Sequence, residues 1–185
     1  KGSEIKAGDL AIAKDSLLMP AAIGFLAGMG VTDVLVYPYP VISIIVTGNE
    51  LQTPGQPLQP GQIYESNSFS LQAALRQLHI AEVKVYKAED TLETVKRVLN
   101  EALKNSDIVF LTGGVSVGDY DFVAAAAKEN GIEKVFHKIK QKPGKPFYFG
   151  KKESKLVFGL PGNPASVLTC FYEYVEPALK QMVKQ

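Results

Sequence analysis

The sequence holds a single cysteine, Cys170, which excludes an intrachain disulfide framework and a cysteine-based zinc cluster. That residue falls in an apolar helical run and reads as a plain buried thiol. There are only two histidines, His79 and His137, far apart and without paired spacing, so a histidine-rich metal centre is not expected. Excess charge is missing too: 20 Lys and Arg stand against 19 Asp and Glu, a net charge of +1. No overall field therefore draws the chain to nucleic acid or to an anionic membrane, and any anion must be held by local groups. No apolar run reaches the roughly 18 residues of a membrane span, and the opening KGSEIKAGD has no signal-peptide shape. A cytoplasmic protein is the expectation.

What the 185 residues do contain is enough for one core of ordinary size with a small appendage. The first 40 residues read differently from the rest. They offer a short β-prone piece at Leu10 to Ala13, then MPAAIGFLAGMG, then a strand, DVLVYP. Pro20 suits a first helical turn, Ile23 and Leu26 fall on one face, and Gly30 is a natural stop. Residues 1–40 are expected to be the tail of a preceding domain, and residues 41–185 an α/β domain.

From Val41 strands and helices alternate. VISIIVT is continuously apolar and β-branched, as in a strand covered on both faces. A Gly- and Pro-rich loop ends at Gly61. Helix NSFSLQAALRQL then carries Phe69, Leu71, Leu75 and Leu78 near helical spacing. Strand EVKVY precedes helix TLETVKRVLNEALKN, with Leu92, Val95, Leu99, Ala102 and Leu103 inward; strand DIVFLT precedes helix DFVAAAAKEN. Strands KVFHKI, PFYFG and KLVFGL follow, and a last helix runs from Pro164 to about Val183. The pattern predicts a three-layer α/β/α fold with a mostly parallel sheet. Ligands of such sheets sit beyond the carboxyl ends of the strands, so the loops after Thr47, Tyr86, Thr112 and Leu160 are where a site belongs.

Those loops have the right chemistry. In IVFLTGGVSVGDYDF, Gly113, Gly114 and Gly118 permit close approach, and amides there suit a phosphate or similar oxyanion beside the helix start near Asp121. A tight turn without a ligand is the bland alternative, but three glycines with hydroxyls and two aspartates exceed what turning needs. In LVFGLPGNPASVL, capping explains Asn163 and Pro164 but not Gly159, Pro161 and Gly162, which thin the approach to the helix. Lys138, Lys140, Lys142 and Lys145 surround a Pro-Gly turn; a solvated, aggregation-resistant edge and an oxyanion site are both open readings. If the strand continues, alternation puts Lys138, Lys140 and Lys142 on one face. Glu50, Asp90, Asp119 and Asp121 complete the set. Asp90 with Glu93 also forms a D-x-x-E capping pattern, and Asp119 or Asp121 also suits a cap. Carboxylates beside phosphate-cradling loops suit Mg²⁺.

Taken in order, TGNEL, PGQPL, GQIYESNSFSL, TGGVSVGDYDF, KPGKPFYFG and GLPGNPASVL resemble the molybdopterin molybdenumtransferase (MoeA and gephyrin E-domain) family from about Val41 to the C-terminus. The leading stretch LLMPAAIGFLAGMGV to VLVYPYP is also similar to what precedes this domain there. The resemblance implies substrates adenylylated molybdopterin and molybdate, release of AMP, assistance by Mg²⁺, and a homodimer whose site lies between subunits. It implies a partnership with the adenylyltransferase of the preceding step, and neither nucleic acid nor membrane. By the same likeness Glu50, Asp90 and Asp121 match acidic metal and phosphate positions, and Lys138 and Lys142 match basic positions that attract molybdate or the terminal phosphate. Thr47, Gly48, Gly113, Gly114, Ser116, Gly118 and Asp119 would cradle the pterin phosphate, with Pro161, Gly162, Asn163 and Pro164 in the last loop. Asn49 stands where many relatives have Asp, and Met19 where many have Thr. Family members are longer, so the resemblance implies a fragment with weak or no molybdenum insertion by itself. The rival readings are the related molybdopterin adenylyltransferase, which performs the preceding step, and a gephyrin-like scaffold or dimerisation domain.

Overall fold

The computed structural model describes residues 5–114 and 122–183. A helix, α1 (Pro20–Gly28), comes first. The strands are β1 (Ile42–Thr47), β2 (Leu51–Gln52), β3 (Ile63–Tyr64), β4 (Val83–Ala88), β5 (Ile108–Thr112), β6 (Glu133–His137), β7 (Tyr148–Lys152) and β8 (Lys155–Leu160). Between them run α2 (Asn67–Gln77), α3 (Leu92–Asn105) and α4 (Phe122–Glu129), and the chain ends in α5 (Pro164–Cys170) and α6 (Glu176–Met182). Six strands form one sheet in the order β4-β1-β5-β8-β7-β6. The first four are parallel, and β7 and β6 join antiparallel, so β6 runs the same way as β8. The expected mostly parallel α/β/α fold is the one observed.

The central strands explain themselves. Every residue of β1 and β5 is buried, as continuous β-branched and aromatic runs require when helices cover both faces. Alternation then divides the core in two. Ile42, Ile44, Val46, Phe110 and Phe158 meet Leu71 and Leu75 of α2 and Val167 and Phe171 near α5. Ile45, Val109, Leu111 and Val157 point the other way, to Val95, Leu99 and Ala102 of α3 and Val123 and Ala126 of α4. Each such side chain removed from water stabilises the fold by about 1.5–3 kcal/mol before entropy is counted.

Several expectations need correction. Leu10 to Ala13 and DVLVYP form no strand, because no sheet edge lies beside them to supply ladder partners; Leu35 and Val36 stay exposed. Helix α1 exists, with Pro20 at its first position as expected, but buries none of its residues. Phe69 faces solvent at 54% exposure, since the helix turns Leu71 and Leu75 inward and the start of α2 toward the sheet's rim. The last helix is interrupted by a π-helical turn at Phe171–Val175. Pro177 in the first turn of α6 has no N–H to offer the carbonyl one turn back, and the widened turn absorbs that loss. Finally, β6 ends at His137 because Lys138 adopts a left-handed φ of 64°. The alternation that would align Lys138, Lys140 and Lys142 therefore stops before it begins.

Candidate functional site

Strand order creates a cleft between β1 and β5. From β1 the chain leads to α2 on one face, whereas from β5 it leads to α4 on the other. Neighbouring strands whose continuations diverge leave a crevice at their carboxyl ends, the usual seat of a ligand in this architecture. The hydroxyl of Thr47 bridges it, donating to the carbonyl of Thr112 at 3.3 Å.

Backbone then packs tightly across the crevice. Gly113 has φ +80°, and a Cβ there would sit 2.3 Å from the Thr47 carbonyl oxygen. Gly114 has φ +62°, and a Cβ would meet Thr47 Oγ1 at 2.9 Å and Asp90 Oδ1 at 3.4 Å. Glycine is needed at both positions by conformation and by space. Gly162 joins from the loop after β8: a Cβ on it would be 3.8 Å from Gly113 Cα. Asn67, at the start of α2, donates its side-chain N–H to the Gly162 carbonyl at 2.9 Å. Thus loops after β1, β4, β5 and β8 meet at one place.

Asp90 is the most telling residue of the set. Its capping alternative fails, since Thr91 caps α3 by accepting from the Thr94 amide. The Asp90 backbone N–H is held by Asn49 Oδ1 at 3.2 Å, a bond that an Asp at position 49 would also make. Oδ1 of Asp90 is buried and has no hydrogen-bond partner among the described residues. Its carboxyl is pushed above the ordinary Asp range, first by burial and second by the negative charge of Glu50. Among the described residues no salt bridge neutralises either carboxylate, and paired oxygen donors of this kind suit a hard cation such as Mg²⁺. Thr112 Oγ1 and Asn67 Oδ1 are likewise buried and without a partner among the described residues, so polar atoms open to further bonding gather at this rim. No group of three or more His, Cys, Asp or Glu side chains arranged for a metal occurs among the described residues.

The remaining expected residues divide into three groups. Ser116, Gly118, Asp119 and Asp121 lie outside the described residues. Gly48 has φ +147° and packs against Leu51 and Glu50, which places Glu50 beside the β1 loop. Pro161 is buried, Asn163 caps α5 by accepting from the Ala165 and Ser166 amides, and Pro164 begins that helix. Lys138 and Lys142 sit in the turn between β6 and β7, at the same end of the sheet because β6 parallels β8. That turn leans on the end of α5 and the π-helical turn after it, where Gly144 packs against Cys170 and the Tyr174 hydroxyl donates to Gln141 Oε1. Both lysines are exposed, and the glycine crevice is formed without them.

Residues 43–181 match the family model described as a probable molybdopterin binding domain. The chain belongs to that family. Over 184 residues, all of this chain, it is 37% identical to the molybdopterin molybdenumtransferase of Haemophilus influenzae and covers 45% of it. Against the molybdopterin molybdenumtransferase of Staphylococcus aureus (strain Mu50) it is 38% identical over 183 residues, 98% of this chain and 43% of that protein. The chain thus spans a little under half the length of the curated relatives it matches. The molybdopterin biosynthesis MoeA protein of Pyrococcus horikoshii superposes with TM-score 0.81 at 35% identity, covering 98% of this chain and 45% of that one. The Mog protein of Mycobacterium ulcerans reaches TM-score 0.57 at 16% identity, with 80% of this chain and 99% of that chain covered. Likeness at that level shows the shared fold alone. In this domain the crevice at Thr47, Asp90, Gly113, Gly114 and Gly162 lies at the carboxyl ends of the strands, where open α/β sheets generally take their ligands. Sequence reasoning left Asn67 unassigned, although it stands in the quoted ESN motif. A polar residue opening an amphipathic helix carries no mark of its distant carbonyl partner.

Proposed function

We propose that this chain is the molybdopterin-handling domain of a molybdopterin molybdenumtransferase, which inserts molybdate into adenylylated molybdopterin and releases AMP. One observation carries the reading: the buried Asp90 Oδ1 beside Gly114, without a hydrogen-bond partner among the described residues, in a crevice of close-packed backbone. Cleaving a phosphoanhydride requires neutralised phosphate oxygens and an oriented attacking group. Asp90 and Glu50, with Asp121, would hold Mg²⁺, which when bound neutralises charge on the phosphates. Gly113 and Gly114, with Ser116 and Gly118, bring backbone amides to the pterin phosphate, while the loop from Pro161 to Pro164 closes the opposite wall. Lys138 and Lys142 attract molybdate as point charges from the neighbouring turn.

Residues 1–40 are read as the tail of a preceding domain, and a homodimer of the longer protein, working in the cytoplasm, is part of the same proposal. Identity across the whole chain with molybdenumtransferases, against fold-level likeness to Mog, favours insertion over the preceding adenylylation.

The test is calorimetric titration of this chain with adenylylated molybdopterin, with and without Mg²⁺. Mg²⁺-dependent binding, lost in Asp90→Asn, is expected. Binding indifferent to both Mg²⁺ and Asp90 would remove that residue from the reading. Consumption of ATP with molybdopterin would replace the reading with the adenylyltransferase. Turnover by the isolated chain equal to that of a full-length relative would refute the claim that further regions are required.

A further inference from the structure

We infer that Asn67 is a positioning residue for pterin-phosphate binding, acting through Gly162; the inference rests on the reading just proposed. Asn67 is 9% exposed, opens the 11-residue helix α2, and its side chain donates an N–H to the Gly162 carbonyl at 2.9 Å. A carbonyl only accepts, so the side-chain nitrogen faces Gly162 and the orientation of the amide group is fixed. The bond spans 95 residues of sequence and ties the start of α2, reached from β1, to the loop that follows β8. A Cβ on Gly162 would lie 3.8 Å from Gly113 Cα, so the two glycine backbones face each other with little more than a methyl group's room between them, and Gly113 is packed against the Thr47 carbonyl. Asn67, Gly162, Gly113 and Thr47 therefore follow one another around the crevice.

That arrangement solves a particular problem. The loop 161–163 is thin, with Gly162 and Asn163 exposed, and the Asn163 side chain is already committed to capping α5. Nothing else among the described hydrogen bonds reaches the Gly162 carbonyl from across the cleft. Without Asn67 the peptide after Pro161 is free to rotate, and the distance between the two glycine loops is no longer set. Asn67 Oδ1 remains buried and unpartnered among the described residues, an acceptor open to a donor from ligand or bound water. A residue kept for packing alone would be better served by an apolar side chain than by an amide with half its capacity unmet.

Asn67→Asp keeps the shape but replaces the donor with a negatively charged carboxylate, and Asn67→Ala removes the donor without adding charge, so a loss common to both variants reports the missing hydrogen bond. Two measurements on the whole chain test the role. In amide-resolved NMR of the ligand-free chain, Asn67→Asp shifts the Gly162 and Gly113 signals and leaves those of α3 in place. In titration with adenylylated molybdopterin plus Mg²⁺, affinity falls at least about tenfold, the effect of losing about 1.4 kcal/mol. Unshifted Gly113 or Gly162 signals, or wild-type affinity in both variants, would overturn the role of Asn67 and leave the proposed function standing. A wild-type chain that binds no adenylylated molybdopterin would overturn both.

Discussion

Residues 5–39 and residues 41–183 are both rich in apolar side chains, yet only the second stretch builds a core from them. Helix α1 is apolar on all sides and buries nothing, and Leu35 and Val36 beyond it are exposed. From Ile42 onward most of the same residue types are buried in two layers, one on each side of the sheet. Hydrophobicity is therefore not sufficient for a core. A nine-residue apolar helix without a neighbour has neither the length nor the covering face to be stable by itself, whereas β1 has a strand on each side and a helix over each face. Exposed apolar surface of this extent marks a region made to be covered.

The contrast is sharpest in the effect of truncation. Phe110 is fully buried and packs edge-on against Phe158 and Phe171, with ring centroids 5.9 and 6.4 Å away. Phe110→Ala is expected to cost about 3–5 kcal/mol in urea unfolding, because it leaves a cavity as well as losing transfer energy. Ile23→Ala in α1 should change stability by no more than about 0.5 kcal/mol, the range of surface substitutions. Equal losses would erase the distinction between the regions.

Glycine substitutions extend the comparison to the site. Gly113→Ala puts a methyl 2.3 Å from the Thr47 carbonyl at a left-handed φ, so backbone must move. A loss of about 1–3 kcal/mol is expected, together with ligand affinity. Gly24→Ala meets nothing within 4 Å and lies in a helix, so no loss is expected. Thermal melts of the two variants measure the difference directly.

What was legible follows the same divide. Strand and helix positions from Val41 onward could be read because their periodicities answer to a real interior, as with Val95, Leu99, Ala102 and Leu103, all buried in α3. DVLVYP carries equal β propensity but no partner, and propensity without a ladder does not make a strand. The rim position of Asp90 and the glycines was readable from topology, since strand ends define it. The failed capping role of Asp90, taken instead by Thr91, was not readable, because D-x-x-E and T-x-x-T patterns one residue apart compete locally. Asn67 was invisible for another reason: its partner Gly162 lies 95 residues away. The lysine alignment failed on one backbone angle at Lys138, which no charge pattern announces.

Limited proteolysis probes the boundary itself. Cleavage is expected within residues 5–39, leaving a fragment beginning near Pro40, whose buried ring and the Val41 amide bonded to Asp107 mark the start of the packed domain. The trimmed domain should unfold with a free energy within about 0.5 kcal/mol of the whole chain. A larger loss would mean that the leading stretch contributes to the core after all.

The smallest effect has an informative sign. The Asp90 carboxyl titrates above its ordinary range when folded, because it is partly buried and faces Glu50. The folded chain therefore holds that proton more tightly than the unfolded chain does. Between the ordinary Asp value and the raised one, stability falls as pH rises, the reverse of the usual behaviour of a paired carboxylate. Asp90→Asn removes this slope. At neutral pH the variant should melt at or slightly above wild type, while below the window the advantage disappears. Added Mg²⁺ should raise the melting temperature of wild type and leave Asp90→Asn unmoved, since a cation relieves a repulsion that the variant lacks. A site residue whose removal steadies the empty chain is kept for what it binds. If Asp90→Asn instead melts well below wild type at neutral pH, Asp90 is a structural residue, and the cation seat is not where the crevice suggests.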